Sequence, residues 1–349
     1  MTVSAIRLPA RSGRTVRSVV AEWRRLTGGR GVADPDRRTL VACSGGGDSS
    51  GLVLALAAGV SRPGERLVIG HIVHDLRPEA EALADRDSAE ALAGRLGVPF
   101  TSGRIAVRGL RGNAEGNARR ARYAALAGLA EEHGCRFVAT AHHAGDQLET
   151  VLMGLLRGAG PRGLGGVAAR RRGHAGGPAV IRPALGVTRD ALRALCRAAG
   201  WAWREDATNA DVSRLRAAVR ARVSPALESL RPGAAARVAR SAALLKDAAA
   251  VVDDRVRALL AEASGAGTPR LAWERGRLRG ERGIVVGGLV RAAAARLRGG
   301  RGRDRLGGRV LEPVVRAVRS RSTEPKVFVL SGVEVRVDAH RVEIGRTDG

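Results

Sequence analysis

The segment Ser44-Gly45-Gly46-Gly47-Asp48-Ser49 is the part of the chain best suited to chemistry. Because glycine has no Cβ, three glycines let the main chain approach the oxygen atoms of a phosphate closely. The two serine hydroxyls add donors, and a helix starting here would present its positive end to the anion. Asp48 is placed to hold Mg²⁺ against the phosphates. The segment therefore predicts a site for the phosphates of ATP.

This loop has no lysine, so it differs from the Gly-x-x-x-x-Gly-Lys-Ser/Thr loop of common ATPases and GTPases. Backbone amides must then contribute more of the binding. The alternative is an ordinary glycine-rich turn in which Asp48 or Ser49 caps a helix. That alternative accounts for one or two of the six residues, so phosphate binding is the preferred interpretation.

Two acidic residues, Asp146 and Glu149, stand three positions apart at a predicted helix start. At this spacing both carboxylates can face one metal ion or one cationic substrate. Such a pair suits Mg²⁺-ATP and an incoming amine, and the alternative is a helix cap plus a solvated acid. His142 and His143 come just before them. Either could be a general base or a phosphate donor, or simply a hydrogen-bonding residue at a strand end.

A basic helix face is predicted at Arg119 and Arg122, with Tyr123 beside them. Guanidinium groups on one face can neutralise a phosphate by paired hydrogen bonds. The alternative is an ordinary solvated basic face.

Apolar segments alternate with helical patterns through the first half of the chain. Strands are predicted at residues 39–43, 67–73, 100–107 and 137–141, and helices at residues 50–58, 79–96 and 114–133. This alternation predicts an α/β fold with a doubly wound, mainly parallel sheet. Ligands bind such sheets at the carboxyl ends of the strands, where Ser44, His74 and His142 fall.

Four domains are predicted along the chain. They are an N-terminal extension at residues 1–37 with one helix near 16–26, a catalytic domain at 38–229, a helical arm at 230–265 and a small basic α+β domain at 266–349. Residues 158–177 read as a basic loop. Helices are predicted at 189–199, 213–230 and 234–263, and strands at 326–330 and 333–337.

Composition narrows the class of partner. The chain has 60 basic residues against 34 acidic ones, a net charge of +26, which favours a polyanion such as nucleic acid.

Its three cysteines are far apart, which argues against a zinc ribbon, an iron–sulfur site or a disulfide framework. No apolar segment approaches the roughly 20 residues of a bilayer span, and no secretory signal is visible. A cytoplasmic protein without a membrane partner is expected.

The loop resembles the PP-loop of the N-type ATP pyrophosphatase superfamily, whose pattern is Ser-Gly-Gly-x-Asp-Ser. Members activate an oxygen with AMP and release pyrophosphate. Further segments are similar to the tRNA(Ile)-lysidine synthetase family: residues 71–78, 113–123, 140–150, 157–164, 182–183, 205–209 and 214–225. There are two departures. Gly145 stands where the family usually has Asp, and Asp75 stands where it usually has Gly.

The resemblance implies an enzyme that uses ATP and Mg²⁺ to adenylate the C2 oxygen of the first anticodon cytidine of tRNA(Ile) with a CAU anticodon. The ε-amine of free L-lysine then displaces AMP and forms lysidine. The basic C-terminal domain would grip the tRNA, and a homodimer is compatible with this expectation.

The resemblance also implies site roles. The expected catalytic residues are Asp48, Asp146, Glu149 and Arg119, and the expected metal ligands are Asp48 and Glu149. The expected ATP-binding residues are Ser44, Gly45, Gly46, Gly47, Asp48, Ser49 and His74. The expected tRNA-binding residues are Arg122, Tyr123, His142, His143, Arg214, Arg216 and Arg220.

Two alternatives remain. A tRNA thiolase can use the same loop, but such sequences usually carry paired cysteines, which this chain lacks. A noncatalytic RNA-binding protein could keep a decayed fold, but the retained Asp48, Asp146 and Glu149 argue against it.

Overall fold

The computed structural model describes residues 6–28, 37–76, 78–108, 114–173, 176–205, 215–265, 269–299 and 306–347. The chain divides into two compact units. Unit 1 comprises Met1–Met153 and Gly166–Ala242, and unit 2 comprises Gly154–Gly165 and Ala243–Gly349. The domain limits predicted at residues 37, 229 and 265 stay predictions. Within the described ranges, no helix is long and apolar enough to cross a bilayer.

The first ten elements include the predicted strands and helices. They are α1 (Arg14–Thr27), β1 (Thr39–Ala42), α2 (Gly47–Gly59), α3 (Pro63–Arg66), β2 (Leu67–His74), α4 (Glu79–Leu96), β3 (Phe100–Ile105), α5 (Ala114–Glu132), β4 (Phe137–Ala139) and α6 (Ala144–Leu156). The short α3 is an addition between α2 and β2.

The next elements extend to the long helix shared by the two units. They are α7 (Pro161–Leu164), β5 (Arg170–Arg171), β6 (Ala179–Ile181), α8 (Arg189–Ala198), α9 (Leu215–Ala218), a π-helical segment (Val219–Val223), α10 (Ser224–Leu230) and α11 (Ala234–Ala261). The loop predicted over 158–177 thus contains α7, whose first residue is proline, a residue well suited to the start of a helix.

The sheet of unit 1 confirms the predicted fold class. Its strand order is β3-β2-β1-β4-β6-β5, and every neighbouring pair is parallel except β5 with β6. Along β1, Leu40 packs in one apolar cluster with Leu126 of α5. Val41, the next residue, packs in another cluster with Leu52 of α2. Alternate side chains therefore bury both faces of the sheet, as a doubly wound fold requires.

Helix α1 belongs to the core of unit 1. Val19 and Trp23 are fully buried in the cluster that also contains Leu52 of α2. The Trp23 indole Nε1 donates to Thr39 Oγ1 over 3.0 Å, which ties α1 to the first strand. The segment interpreted as an extension therefore supports the strand that leads into the phosphate loop.

Unit 2 is built on an antiparallel sheet with the strand order β7-β10-β9-β8. Its elements after α11 are β7 (Arg270–Glu274), α12 (Arg275–Arg279), α13 (Gly283–Leu297), α14 (Gly308–Arg319), β8 (Lys326–Leu330), β9 (Val333–Val337) and β10 (Arg341–Arg346). The two strands expected at the end of the chain are confirmed as β8 and β9. The alternating Val333, Val335 and Val337 are buried in a cluster with residues of α13 and α14.

Candidate active site

The phosphate loop connects β1 to α2 and has a fixed shape. Gly45 has a φ of +82°, and a Cβ there would lie 3.0 Å from the Asp85 carbonyl oxygen. Only glycine suits this position. Ser49 Oγ accepts from the Ser44 amide at 3.1 Å and donates to the Gly46 carbonyl oxygen at 3.0 Å. Gly46, at the N-cap of α2, provides no capping side chain, so the first-turn amides are not taken by one.

Helix α2 begins at Gly47, earlier than the predicted start at residue 50. Asp48 and Ser49 consequently lie in its first turn. An acidic side chain is favourable there because it faces the positive end of the helix. The same end is a ready site for phosphate oxygens.

A cavity of about 340 Å³ opens beside the loop, within the size range of small-molecule sites. It lies at the carboxyl ends of the parallel strands, as predicted. Its polar lining brings together most of the expected residues and adds several others: Ser44, Gly46, Asp48, Ser49, His71, His74, Asp85, Arg122, Tyr123, Thr140, His142, Asp146 and Arg204.

Asp48 is surrounded by three cationic or basic groups. Arg193 Nε lies 3.4 Å from its Oδ1, and Arg189 Nε lies 3.4 Å from its Oδ2. His143 Nε2 is 3.7 Å from Oδ2. Burial alone would raise the pKa of Asp48, but His143 and the two arginine charges outweigh it and hold that pKa below its ordinary value. The side chain is 29% exposed, so it can still reach a ligand in the cavity.

Asp146 and Glu149 do converge on cationic groups, and those groups are arginines of this chain. Arg220 donates to Glu149 Oε1 at 2.6 Å and to Oε2 at 3.0 Å, and Arg216 donates to Oε2 at 2.8 Å. Both arginines also reach Asp146 Oδ1, at 3.3 and 3.4 Å. Burial would raise the pKa of Glu149, but these hydrogen bonds and charges hold it below its ordinary value.

The metal role expected of Glu149 and the tRNA-binding role expected of Arg216 and Arg220 stay predictions. In this structure the Glu149 side chain is only 4% exposed, and both its oxygens accept from guanidinium groups. Arg216 and Arg220 pair with carboxylates here. Arg214 lies outside the described residues.

His143 sits directly above Gly145. Its Nδ1 accepts from the Gly145 amide at 3.0 Å, and its Nε2 lies 3.7 Å from both Asp48 Oδ2 and Asp146 Oδ2. A Cβ at Gly145 would be 2.8 Å from His143 Cε1. The glycine therefore makes room for the imidazole between the two carboxylates.

His142 is an uncharged imidazole in this environment. Burial, followed by the charges of Arg182, Arg119, Arg122 and Arg216, lowers the pKa of His142 to about 2. Its Nδ1 is 2.9 Å from Thr140 Oγ1. A group with so low a pKa is a weak base, so hydrogen bonding describes it better than proton abstraction.

Four arginines surround Tyr123. The guanidinium carbons of Arg119, Arg122 and Arg171 lie 5.1, 6.0 and 4.8 Å from the centre of its ring. Arg182, only 3% exposed, donates to the Tyr123 hydroxyl at 3.3 Å. None of the four pairs with a carboxylate within the ranges that the structure describes. We call these five residues the Tyr123 cluster.

Residues 17–227 match the PP-loop domain. The chain belongs to the PP-loop family. Membership supports ATP binding at the loop whose geometry is given above. The structure is also similar to that of a U34-tRNA thiolase NcsA from Methanococcus maripaludis, with a TM-score of 0.51, 17% identity, and coverage of 67% of this chain and 79% of that one. At this identity the likeness concerns the fold alone.

Curated relatives match part of this chain at higher identity. A tRNA(Ile)-lysidine synthase of Bordetella parapertussis is 43% identical over 201 residues, covering 56% of this chain and 57% of the relative. The enzyme of the same name from Symbiobacterium thermophilum is 39% identical over 202 residues, covering 56% and 41%. The chain spans about half the length of the curated relatives it matches.

Several residues of this PP-loop site were not expected from sequence. Arg204 donates to Asp85 Oδ1 at 2.7 Å, and both line the cavity. Arg189 and Arg193 reach Asp48 from α8. Their sequence signal is only the spacing of four positions on an amphipathic helix, which is common to many solvated faces.

Asp75 does not replace the carboxylate missing at Gly145. It accepts from the Val107 amide at 2.8 Å and the Arg108 amide at 3.1 Å, so it holds the end of β3. These hydrogen bonds, chiefly that of Val107, lower the pKa of Asp75. It is not part of the cavity lining.

Asp48 is the carboxylate of the PP-loop site that best fits Mg²⁺. Among the described residues, no group of three or more His, Cys, Asp or Glu side chains forms a ready metal cage. Mg²⁺ bound with nucleotides commonly takes one or two carboxylates and completes its shell with phosphate oxygens and water. Asp48, partly exposed in the first turn of α2, suits that arrangement.

Proposed function

We propose that this PP-loop protein forms lysidine in tRNA(Ile), using ATP and free L-lysine and releasing AMP and diphosphate. The observation that carries the proposal is one cavity lined by the phosphate loop, by Asp146 and by the Arg122 and Tyr123 side chains of the Tyr123 cluster. The cavity offers a complementary group to each substrate: the phosphate loop to the triphosphate of ATP, Asp146 to the amine of lysine, and Arg122 and Tyr123 to the RNA. The names of the curated relatives agree with this reaction.

In the first step, O2 of the target cytidine attacks the α-phosphorus of ATP. The new phosphorus–oxygen bond carries AMP, and the bond between the α- and β-phosphates breaks to release diphosphate. The loop amides and the amino end of α2 stabilise the charge that collects on the leaving oxygens. Mg²⁺, held through Asp48, would supply further charge neutralisation when bound.

In the second step, the ε-amine of lysine attacks C2, and the carbon–oxygen bond to AMP breaks. The incoming group is an ammonium ion that must lose a proton before its electron pair can attack. Asp146 lines the cavity, and we assign its carboxylate to bind that ammonium and to accept the proton that it loses. Glu149, behind it, holds Arg216 and Arg220 in place and thereby fixes the position of Asp146.

The Tyr123 cluster suits the RNA. Four guanidinium groups close to one ring repel each other, and an anion between them lowers that cost. Arg122 and Tyr123 line the cavity itself, so a phosphate bound there would lie next to the reacting base. Arg122 therefore keeps its expected tRNA-binding role, and we place Arg119, which was expected to be catalytic, on the RNA side of the site as well.

The proposal is tested by incubating the full chain with ATP, Mg²⁺, lysine and a tRNA(Ile) transcript with a CAU anticodon. We expect diphosphate release and, after nuclease digestion, a cytidine whose mass has increased by one lysine less one water. A methionine tRNA with the same anticodon serves as the RNA control. Incorporation of sulfur instead of lysine would favour the thiolase reaction, and RNA binding without turnover would favour the noncatalytic alternative.

The Asp48→Asn variant separates chemistry from RNA binding. Since Asp48 lies in the phosphate loop and is not part of the Tyr123 cluster, we expect diphosphate release to be lost and RNA affinity to change by no more than about threefold. Asp87→Asn, at an exposed site on α4, is the matched control and should keep full activity. Normal turnover by Asp48→Asn would remove Asp48 from the mechanism.

A further inference from the structure

Two arginines of α8 reach the phosphate loop and have no role in the reaction described above. Arg189 and Arg193 are one turn apart, and the Nε atom of each lies 3.4 Å from an oxygen of Asp48. They come from a helix packed closely against α2, since a Cβ at Gly51 of α2 would lie 2.5 Å from the Leu192 carbonyl oxygen. Their position beside the loop is therefore set by backbone packing.

Arg193 is held in place by more than Asp48. Glu205 accepts from its Nη1 at 3.2 Å and from its Nη2 at 3.4 Å. The Trp203 ring centre is 5.5 Å from the guanidinium carbon, and Trp203 Nε1 donates to Glu205 at 2.8 Å. Trp203 also covers the loop, because a Cβ at Gly47 would lie 3.1 Å from its ring. The guanidinium is thus kept against the amino end of α2, with 19% of its side chain exposed.

The charges around Asp48 change when a nucleotide binds. In this structure, Arg189 pairs with Asp48, and Arg193 pairs with both Asp48 and Glu205. A cation held by Asp48 would leave both arginines without that partner and add positive charge beside them. A ligand with several negative charges then restores the balance, since closely spaced like charges are costly near a protein interior. Diphosphate is such a ligand, and the proposed reaction generates it on this loop.

We propose that Arg189 and Arg193 form a diphosphate site, which binds the β- and γ-phosphates of ATP and retains diphosphate as it leaves. Arg193 exchanges Asp48 and Glu205 for phosphate oxygens when the ligand arrives. Glu205 therefore competes with the ligand for the same guanidinium group. The inference rests on the proposed function only in requiring that ATP is cleaved between its α- and β-phosphates.

Binding of inorganic pyrophosphate to the full chain, measured by calorimetry with Mg²⁺ present, tests the site without turnover. A charge-assisted hydrogen bond contributes about 1.5–3 kcal/mol, so Arg193→Gln and Arg189→Gln should each weaken pyrophosphate binding about tenfold or more. Arg193→Lys keeps the charge and should recover part of the affinity. Arg197→Gln, one turn further along α8 at an exposed position, is the matched control and should bind normally.

The Glu205→Gln variant should have the opposite effect on the affinity for pyrophosphate. Removing the competing carboxylate frees Arg193, so pyrophosphate should bind several-fold more tightly. If this segment were only structural, Glu205→Gln and Arg193→Gln would both weaken binding and both lower the melting temperature, and that result would overturn the inference. Unchanged affinity in Arg189→Gln and Arg193→Gln would also overturn it.

The same measurements keep the inference apart from the proposed function. Pyrophosphate binding requires neither lysine nor RNA. A chain that shows the expected changes but makes no lysidine would keep the diphosphate site and lose the assigned reaction. If the chain makes lysidine but the α8 variants bind pyrophosphate with unchanged affinity, the assigned reaction stands and the diphosphate site does not.

Discussion

Gly145 has no Cβ, and this absence determines the surroundings of the Asp48 and Asp146 carboxylates. Its amide donates to His143, and the space above it holds the imidazole that lies between Asp48 and Asp146. The sequence identified the glycine as a departure from the related family. It could not show which side chain fills the space, because that depends on the direction of the His143 ring.

Adding a side chain at this position should disturb the site. A Cβ would lie 2.8 Å from His143 Cε1, so the ring must turn away in Gly145→Ala and in Gly145→Asp. We expect the rate of diphosphate release to fall about three- to tenfold in both variants, measured with saturating RNA. If Gly145→Asp were faster than the parent chain, the added carboxylate would outweigh the displaced imidazole.

Glu149 gives a stability prediction with a defined pH dependence. Its pKa is lowered in the folded chain, whereas the pKa of the carboxyl in the unfolded chain is about 4.3. Its contribution to stability is therefore complete above that pH and is lost as pH falls through the lower folded-state pKa.

The Glu149→Gln variant measures that contribution. Breaking a buried ion pair costs about 3–5 kcal/mol, and we expect about 2–3 kcal/mol at pH 7 because the two guanidinium groups remain partly exposed. Chemical denaturation at pH 7 and near pH 4 should show the difference shrinking at the lower pH. Glu131→Gln, at an exposed position on α5, is the control. A difference that stays constant with pH would contradict the assigned pairing.

At the scale of elements, the contact between α2 and α8 positions the loop arginines. A Cβ at Gly51 would lie 2.5 Å from the backbone oxygen of Leu192, which cannot move without shifting α8. The Gly51→Ala variant gains about 1 kcal/mol of helix propensity, but the overlap should make it less stable by about 1–3 kcal/mol overall.

Gly94→Ala provides the matched comparison. Gly94 lies in α4 with nothing within 4 Å of its would-be Cβ, so this change should be neutral or slightly stabilising. Thermal unfolding of Gly51→Ala and Gly94→Ala measures the two changes in stability. Equal stability in both would show that α8 can shift freely.

The strands of unit 1 could be predicted from sequence because they are apolar, short and separated by helical patterns. The binding partners of the site arginines could not be predicted from sequence. Arg216 and Arg220 were expected to bind tRNA, and in this structure they pair with Asp146 and Glu149. An arginine favours any anion, and only the packing of α9 and the π-helical segment determines which one it meets.

At the scale of the molecule, the excess of basic residues continues into unit 2. Arg309, Arg319 and Arg321 are exposed there, and none pairs with an acid within the described ranges. The predicted role of this region is to grip tRNA. Each arginine–phosphate pair that is removed should lower the slope of log affinity against log salt by about 0.7–0.9.

Replacing all three of these arginines by glutamine should therefore reduce the salt slope of tRNA binding by about 2–3 and weaken binding at moderate salt. ATP affinity should not change, because the phosphate loop lies in unit 1. A triple variant of Arg14, Arg17 and Arg24 on α1 removes the same charge elsewhere. Equal decreases in tRNA affinity in the two triple variants would show a general charge effect without a dedicated surface.

The burial of α2 affects how the loop moves. Every residue of α2 except Asp48 is buried, including the serines of the first turn. Amide hydrogens in such a helix exchange with solvent mainly when the surrounding core opens as a whole. We therefore expect the phosphate loop to be attached to a slowly exchanging part of the chain, with its donors aligned before any substrate arrives.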